Sequence, residues 1–519
     1  MILYPYFFIL EILLIPLVRN LDQLDASQAI LPALLLLAAT TLCLLLFQLR
    51  FKDWKYAAYL TFLVGLFFCG FGYFNRFVQS QFSRFGRSID EAVLLLIFTF
   101  GLGLLSKQRL WKRLGGRTWL PAYLNLAIGL GLLVPAGELL VKFVDQPEQA
   151  QPVSLNTPAN QGELTLTCGA TPDIYYIILD GYGRADMLAE LYGIDNQPFL
   201  DYLRSKGFYV AAESYTNYTQ TLYSLPSSLN FSYIAPPGEG VSRAKYFANL
   251  MRSNQIMQAL KRCGYHTVAF ESGFYFTEHP LVDQYLAHGL GTNEYESLLL
   301  ADSPVDVLVS EVNPEFSDLS YAAHRRRVLF SFEKLATLSQ LEAPTFAFAH
   351  IISPHPPFVF DQNGQPLEPA RSYYIGDGDD YQGSLEEYRA GYQAQVVFVN
   401  AQLQHMLDSI LANSASPPVI ILQADHGPGS QLVWDAPEQS CLYERTSILN
   451  AYYLPGQANE LLYPAISPVN SFRIVLNAYF GTRLPFLPDD TYFSSHDYER
   501  QVIDITAGRS SRANCEATE

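Results

Sequence analysis

The fold is decided by a short apolar run, Ile174-Tyr-Tyr-Ile-Ile-Leu179, which ends directly in Asp180. An apolar run of this length that stops at a polar residue is typical of a strand buried on both faces of a parallel sheet. Longer amphipathic stretches separate it from three further runs of the same form, which are His266–Phe270, Thr345–Ala349 and Pro418–Gln423. This alternation predicts an α/β domain with a mostly parallel sheet flanked by helices.

Each of these runs ends in polar residues. Asp180 follows the first run, Glu271 the second and His350 the third, and the fourth leads into Asp425 and His426. Ligands of open α/β sheets bind outside the carboxyl ends of the strands, so these side chains are expected to converge on one crevice. Carboxylates and imidazoles are ligands for Zn²⁺ or Mn²⁺, so Asp180, Asp425 and His426 together indicate a metal site. For any one of them alone, the pattern favours a helix cap or a buried hydrogen-bonded acid over a metal ligand.

A candidate nucleophile lies in the segment from Asn217 to Asn230, which passes from a threonine-rich loop into an apolar helical pattern. This pattern predicts Thr221 or Ser224 at a helix N-terminus, where backbone N–H groups attract anions. A metal-activated hydroxyl at that place could attack a phosphoryl group. The alternative is an ordinary N-cap, the commonest role of Thr or Ser at a helix start.

Two histidines lie in the segment Phe348–Phe358, His350 at a strand end and His355 in a proline-rich loop. Prolines fix such a loop, which suits a side chain that holds a substrate oxygen or delivers a proton. A structural role for either ring is the alternative reading of the same pattern.

The composition argues against a nucleic-acid-binding protein. The chain has 33 Lys+Arg against 50 Asp+Glu and a net charge of -17, whereas the phosphates of nucleic acid attract a basic surface. The acidic excess lies in residues 151–519, whereas residues 1–150 are net positive, and this difference indicates two regions in different surroundings. The 34 Tyr and 34 Phe support a large packed core.

The first region contains apolar stretches suited to a bilayer, which a helix of about 20 residues crosses. Their basic flanks concentrate in the second and fourth loops, which the positive-inside rule places in the cytoplasm, so five spans leave the remainder of the chain outside. The expected organisation is a five-helix transmembrane bundle at residues 1–142, a linker at 143–171 and an extracytoplasmic domain at 172–519. The five stretches are Ile2–Val18, Ala29–Phe47, Ala57–Phe74, Ala92–Leu105 and Leu120–Val141.

Four short segments, taken in order, carry a family likeness. They resemble the sulfatase-like branch of the alkaline phosphatase superfamily, and in particular the membrane phosphoethanolamine transferases and lipoteichoic acid synthases. Those proteins also have five spans followed by an extracytoplasmic catalytic domain. The segments are Leu179–Asp186, Thr219–Pro226, His350–Pro356 and Ala424–Gly427.

The resemblance implies an active site with one divalent metal ion, Zn²⁺ or Mn²⁺. It implies that Thr221 is the nucleophile, and that His350 and His355 bind the substrate phosphate or assist the leaving group. It also adds Thr221 to the metal ligands, which become Asp180, Thr221, Asp425 and His426.

The chain departs from this family in three respects. The transferases flank their threonine with two cysteines, but Asn217 and Ser227 stand at those places here. They carry a further histidine soon after Asp-His-Gly, whereas the next histidine in this chain is the distant His496. Sulfatases that form formylglycine need an arginine where this chain has Ser228, four residues after Ser224.

These features predict a membrane-anchored, metal-dependent transferase or hydrolase of phosphate esters that uses a threonine nucleophile. Its expected partners are membrane lipids and a lipid or glycan substrate, with a lipid-linked donor. The alternatives are a sulfatase-like hydrolase of sulfuric esters that uses Ser224, and a non-catalytic envelope protein that retains the fold. Four cysteines in the expected extracytoplasmic region could form disulfides in three different pairings; they are Cys168, Cys263, Cys441 and Cys515.

Overall fold

The chain divides into two compact units, Met1–Glu148 with Thr292–Ala323, and Gln149–Gly291 with His324–Glu519. Most of the expected linker at 143–171, and His496, lie outside the described residues. The computed structural model describes residues 2–19, 29–83, 91–115, 118–144, 164, 166–169, 172–237, 243–279, 281–288, 296, 299, 303–304, 319–341, 344–367, 381, 383–434, 436–494 and 502–516.

In the first unit, each of the five expected spans coincides with a helix. Three of these helices are long and apolar enough to cross a membrane, within Ile30–Phe51, Trp54–Asn75 and Leu120–Leu140. The apolar parts of the other two are shorter, Tyr4–Val18 and Val93–Leu105, so the count of five spans is not established. The helices are α1 (Tyr4–Arg19), α2 (Ile30–Phe51), α3 (Trp54–Ser83), α4 (Glu91–Leu105), the short α5 (Gln108–Arg113) and α6 (Leu120–Val144).

The helices of this unit pack in a way that leaves apolar surface outward. Helix α1 lies against α6 and α3, and the side chain of Asn125 on α6 accepts hydrogen bonds from the main-chain N–H groups of Leu3 and Tyr4. Leu34 on α2 and Leu126 on α6 remain about three-fifths exposed, at 61% and 62%. Outward-facing leucines at this density fit a lipid-facing surface better than a water-facing one.

The second unit is built on a seven-stranded sheet of order β2-β7-β6-β1-β5-β3-β4. The β1–β5, β1–β6, β3–β5 and β3–β4 pairs are parallel, and β7 runs antiparallel to both β6 and β2. The mostly parallel sheet is therefore confirmed. The strands are β1 (Ile174–Leu179), β2 (Tyr209–Val210), β3 (His266–Phe270), β4 (Gln284–Leu286), β5 (Thr345–Ile351), β6 (Val419–Gln423) and β7 (Asn450–Tyr453), and the separate pair β8 (Tyr492–Ser494) and β9 (Val502–Asp504).

The register of the three central strands brings their carboxyl ends to one level. Ile178 on β1 pairs with His350 on β5 and with Gln423 on β6. Strand β5 continues to Ile351, two residues past its expected end, because it pairs with β1 along the whole of β1. His350 thus projects from the strand itself. At the same edge, Asp180 follows β1 directly, and Asp425 follows β6 after Ala424.

Helices complete the second unit and position its loops. Helix α9 (Thr221–Leu229) packs on α15 (Pro468–Tyr479), and Leu225 and Phe472 belong to the same core cluster as Tyr176 of β1. The remaining helices are α7 (Ala185–Tyr192), α8 (Gln197–Ser205), α10 (Arg243–Arg252), α11 (Gln255–Arg262), α12 (Leu319–Leu335, of which residues from His324 belong to this unit), α13 (Leu385–Asn413) and α14 (Leu442–Thr446).

The four cysteines of the second unit form two disulfides, Cys168–Cys263 and Cys441–Cys515. The second bond ties the C-terminal segment 502–516 to the start of α14. That segment also accepts hydrogen bonds from α14, with Ser511 O receiving the N–H of Tyr443 at 3.2 Å and Arg509 O receiving the hydroxyl of Thr446 at 2.8 Å. Helix α14 is therefore held from outside by the last described residues of the chain.

Candidate metal centre and active site

Three buried side chains meet at the carboxyl ends of β1 and β6. One potential ligand atom from each of Asp180, Asp425 and His426 lies within 4.8 Å of the others. Asp180 is held by its main-chain N–H, which donates to Ile351 O at 3.0 Å. The adjacent Gly181 donates its N–H to Asp425 Oδ1 at 3.2 Å, so the two strand ends are bonded together. Residues that lie far apart in sequence are gathered by the register of the sheet.

Thr221 joins this group as the first residue of α9. Its Oγ1 lies 2.6 Å from Asp425 Oδ2 and 3.1 Å from His426 Nε2. The N-cap position belongs to Gln220, whose side chain makes no capping hydrogen bond. The Thr221 hydroxyl therefore points at the acid–imidazole group instead of capping the helix. All four side chains expected around the metal lie close together.

The hydrogen bonds of His426 fix its tautomer. Its Nδ1 lies 2.9 Å from Gly427 O, an acceptor only, so Nδ1 carries the proton and Nε2 presents a lone pair. Nε2 faces Asp425 Oδ2 at 3.3 Å and Asp180 Oδ1 at 3.6 Å. Burial, together with the positive charge of Arg445, lowers the pKa of His426 to about 4, so the ring is neutral near pH 7. A lone pair beside two carboxylates repels them unless a cation lies between.

Asp180 has one buried oxygen without a hydrogen bond to any described residue, Oδ1. Its Oδ2 accepts a hydrogen bond from His350 Nε2 at 3.1 Å. Burial alone would raise the pKa of Asp180, but the neighbouring histidine rings, His355 foremost, and the bond from His350 outweigh it and lower that pKa. An ionised carboxylate with such a buried oxygen is suited to bind a cation.

The main chain of Asp425 is fixed by two hydroxyl groups. Its carbonyl oxygen accepts hydrogen bonds from Thr216 Oγ1 at 2.5 Å and from Ser224 Oγ at 2.7 Å. Ser224 lies one helical turn after Thr221 and is only 1% exposed. Its hydroxyl therefore links α9 to the end of β6.

The two histidines of the β5 segment differ in their surroundings. His350 is fully buried, and both its nitrogens are bonded, Nε2 to Asp180 and Nδ1 to the hydroxyl of Thr277 at 2.9 Å. Burial opposes the charged form of His350, but the bond to Asp180 and nearby carboxylates outweigh burial and raise its pKa. The ring of His350 is thus held within the protein.

His355 is partly exposed and lies beside the metal-binding group, with its ring centroid 6.0 Å from that of His426. Its Nδ1 donates to Pro356 O at 2.5 Å, and its Nε2 has no hydrogen bond to any residue that the structure describes. The loop is fixed by Gln395, which donates to the carbonyl oxygens of Pro354 and His355 at 3.1 and 3.2 Å. A fixed ring with an available nitrogen can transfer a proton or bind a substrate oxygen.

Arg445 is a buried residue of this region that the sequence patterns do not indicate. It donates from Nε to Thr219 O at 2.8 Å and from Nη1 to Gly427 O at 3.1 Å, and so connects the chain before Thr221 with the chain after His426. Gly427 gives a sequence indication that α14 packs closely here. A Cβ at Gly427 would lie 2.1 Å from the carbonyl oxygen of Glu444, which precedes Arg445 on α14.

Glu271, the remaining strand-end acid, pairs with a different group. Its Oε2 accepts from His288 Nδ1 at 2.9 Å and from the main-chain N–H of His288 at 3.2 Å. The carboxyl end of β3 therefore contributes no acid to the three-residue group around Asp180. The loop that follows β3 contributes Thr277, whose hydroxyl contacts His350.

A mostly parallel sheet that gathers acid, imidazole and hydroxyl groups at its strand ends is the arrangement of an α/β hydrolytic or group-transfer enzyme. Residues 172–465, more than half of the chain, match the family model named Sulfatase, and the chain therefore belongs to the sulfatase family. The expectation of a sulfatase-like enzyme is thereby confirmed. No curated protein matches the chain.

Similar solved structures include the C-terminal periplasmic domain of EptC from Escherichia coli, with 14% identity, 66% of this chain and 94% of that chain covered, and a TM-score of 0.41. The lipoteichoic acid synthase LtaP from Listeria monocytogenes shows 15% identity, 66% and 81% coverage, and a TM-score of 0.40. The integral membrane lipooligosaccharide phosphoethanolamine transferase A (EptA) from Neisseria meningitidis shows 14% identity, 75% and 68% coverage, and a TM-score of 0.39. These similarities concern the fold alone.

Proposed function

We propose that this protein is a metal-dependent transferase or hydrolase of phosphate esters that acts through Thr221. One observation carries the proposal: the Thr221 hydroxyl lies within hydrogen-bond distance of two of the three buried groups that could hold a metal ion. A hydroxyl beside a divalent cation, at the N-terminus of a helix, suits attack on an anionic phosphoryl group.

The side chains present fit a divalent ion such as Zn²⁺ or Mn²⁺. The unprotonated Nε2 of His426 and the unpaired Oδ1 of Asp180 face each other at 3.6 Å within a buried site, and neither has a hydrogen atom to offer the other. The proposed ligands are Asp180, Thr221, Asp425 and His426. When bound, the ion would lower the pKa of the Thr221 hydroxyl and offset charge on the phosphoryl oxygens.

In the first half of the proposed reaction, Thr221 Oγ1 forms a bond to phosphorus and transfers its proton to Asp425 Oδ2, which lies 2.6 Å away. The bond between phosphorus and the leaving oxygen breaks, and that oxygen takes a proton from Nε2 of the His355 imidazolium, whose Nδ1 keeps its own proton on Pro356 O. The enzyme is left with a phosphate ester on Thr221.

In the second half, the oxygen of a water molecule or of an acceptor hydroxyl attacks phosphorus and gives its proton to His355. The bond from Thr221 to phosphorus breaks, and Oγ1 regains its proton from Asp425. We assign the proton transfers to His355 because its Nε2 is available, whereas both nitrogens of His350 are bonded within the protein. His350 then supports Asp180.

Thr221, and not Ser224, is assigned as the nucleophile. The Ser224 hydroxyl donates to the main chain of Asp425 and is almost fully buried, whereas the Thr221 hydroxyl faces the acid–imidazole group. This contrast argues against formylglycine chemistry at Ser224. Such chemistry also needs an arginine at position 228, where this chain has Ser228. Both observations favour phosphate over sulfate esters as the substrate.

We further propose a lipid-linked donor and an extracytoplasmic catalytic unit. Support comes from the three helices that are long and apolar enough to cross a membrane, which would hold the chain at the bilayer. The acceptor would be a lipid or a glycan carrying a free hydroxyl group.

The deciding experiment is mass spectrometry of the peptide that carries Thr221. Full-length protein in phospholipid nanodiscs is incubated with MnCl₂ or ZnCl₂, quenched with acid and digested. We expect an added phosphate-containing mass on Thr221 that identifies the transferred group. The adduct should disappear in Thr221→Ala and persist in Thr337→Ala, a change at an exposed threonine just after α12 whose hydroxyl donates to Lys334 O in the last turn of that helix. Formylglycine at Ser224, or turnover without any adduct on Thr221, would contradict the proposal.

A further inference from the structure

The loop after β3, Glu271–His279, approaches the active site although none of its residues belongs to the proposed metal ligands. The loop contains a single helical turn, Tyr275–Thr277, that ends at Thr277. Thr277 is 2% exposed, and its Oγ1 lies 2.9 Å from His350 Nδ1. On the opposite side of the same ring, His350 Nε2 lies 3.1 Å from Asp180 Oδ2.

We propose that Thr277 is a positioning residue that fixes the ring of His350 and, through that ring, the carboxylate of Asp180. This inference rests on the proposed function only in taking Asp180 as a metal ligand. The physical reason is that an imidazole bonded at both nitrogens has one favourable orientation, since a flip of the ring would put carbon atoms where the two bonded nitrogens lie.

The bonding capacity of the Thr277 hydroxyl suits this role. A hydroxyl group donates one hydrogen and accepts through two lone pairs. Besides His350, Thr277 Oγ1 has Phe274 O at 3.1 Å and Ser272 Oγ at 2.9 Å as neighbours. Thr277 can therefore pair with His350 Nδ1 whether or not that nitrogen carries a proton, because the other two partners take up the remaining donor or acceptor.

The loop is itself anchored, so Thr277 has a fixed place from which to act. The partly buried carboxylate of Glu278 accepts from the main-chain N–H groups of Ser272 at 3.1 Å and Gly273 at 2.7 Å, and also from the hydroxyl of Tyr285. The main-chain N–H of Thr277 donates to Phe274 O at 3.0 Å. Asp180 is thus supported by a continuous series of bonds that leads back to a rigid turn.

The test measures metal affinity directly. Full-length protein in detergent is stripped with a chelator and titrated with MnCl₂ or ZnCl₂ in a calorimeter. Loss of a group that orients a metal ligand typically weakens metal binding by about 10–100-fold, which we expect for Thr277→Val. Thr277→Ser retains the hydroxyl and should bind within about threefold of the wild type.

The matched control is Thr267→Val. Thr267 is also buried, lies on the adjoining strand β3 and donates its hydroxyl to a carboxylate, Asp283 Oδ2, at 2.7 Å. Its loss should affect stability but leave metal affinity unchanged. If Thr277→Val does not fold, Thr277→Ala is measured in its place.

A double-mutant cycle with His350→Gln tests whether Thr277 acts through His350. In that background the valine substitution at Thr277 should weaken metal binding no further. Wild-type affinity in Thr277→Val, failure of Thr277→Ser to restore binding, or an undiminished effect in the His350→Gln background would each overturn the positioning role. If the wild-type protein itself binds neither ion, the proposed function fails; if it binds and Thr277→Val matches it, only the positioning role fails.

Discussion

Replacing Asp425 by Asn should stabilise the protein without metal and abolish the stabilisation that metal confers. Asp180 and Asp425 present buried carboxylate oxygens to one another, and evolution tolerates such repulsion where a bound cation relieves it. The substitution would remove one charge. The new amide oxygen could accept from the N–H of Gly181 in the place of Oδ1, while the amide nitrogen in the place of Oδ2 would donate to the Thr221 hydroxyl.

The size of the effect follows from the separation of the charges. The ligand atoms lie within 4.8 Å of one another, and two like charges at that distance repel by about 3 kcal/mol at an effective dielectric constant of about 20. Hydrogen bonds from His350 to Asp180 and from Thr221 to Asp425 offset part of this repulsion. The expected net gain in the free energy of unfolding is therefore about 1–2 kcal/mol, or about 2 °C in Tm for a unit of this size.

The assay is thermal unfolding of the full chain in detergent, with a chelator and then with MnCl₂ or ZnCl₂. At a metal concentration of about 100 Kd, the wild type should gain about 2.7 kcal/mol, and the Asp425→Asn protein should gain almost none. Glu271→Gln is the control, because this acid pairs with His288 and lies apart from the metal-binding group. A lower stability of Asp425→Asn than of the wild type in chelator, or equal stabilisation of both proteins by metal, would refute the proposed repulsion between Asp180 and Asp425.

Three further outcomes are expected. Thr221→Ala should lower turnover, measured by release of the leaving group, by about 10³-fold or more, while Thr221→Ser should retain part of the activity. Equal rates in the two variants would exclude a nucleophilic hydroxyl. Gly427→Ala should destabilise the protein by about 1–3 kcal/mol in thermal unfolding, because its Cβ would lie 2.1 Å from the rigid carbonyl oxygen of Glu444. The pKa of His426 is lowered to about 4, below its unfolded value near 6.5, so the unfolded state binds the extra proton first. The stability of the metal-free protein should therefore fall as the pH drops from about 6.5 to about 4. The same titration of His426→Gln should show a smaller slope of stability against pH.

Much of the sheet and part of the site could be predicted from the sequence. Strands buried on both faces need continuous apolar runs, and the four expected runs coincide with β1, β3, β5 and β6. Because parallel strands end at one edge, the polar residues that follow β1 and β6 necessarily approach each other. The grouping of Asp180 with Asp425 follows from this rule.

Contacts between distant loops could not be predicted in this way. The partner of His350 Nδ1 is Thr277, 73 residues earlier, in a loop with no periodic pattern or motif. Arg445 comes from a five-residue helix, and its role depends on two carbonyl oxygens that only the folded chain brings together. The roles of such residues depend on contacts between segments that are distant in sequence. The residues next to them in the chain do not indicate these contacts.

The apolar N-terminal helices could be located from the sequence, but the number that span a membrane could not. Apolar composition located each of the five helices, but composition alone does not determine which of them are long enough to cross a bilayer. The helices at Tyr4–Val18 and Val93–Leu105 are shorter than a typical span, and their placement depends on tilt and on neighbouring helices.

The disulfide and the hydrogen bonds that hold the C-terminal segment 502–516 against α14 affect how truncated variants should behave. A nonsense codon just before Val502 would spare every side chain proposed to take part in the reaction, yet it would remove Cys515 and Arg509, which hold the helix that carries Arg445. A variant that stops before Val502 is therefore expected to lose activity even though it keeps every motif of the active site.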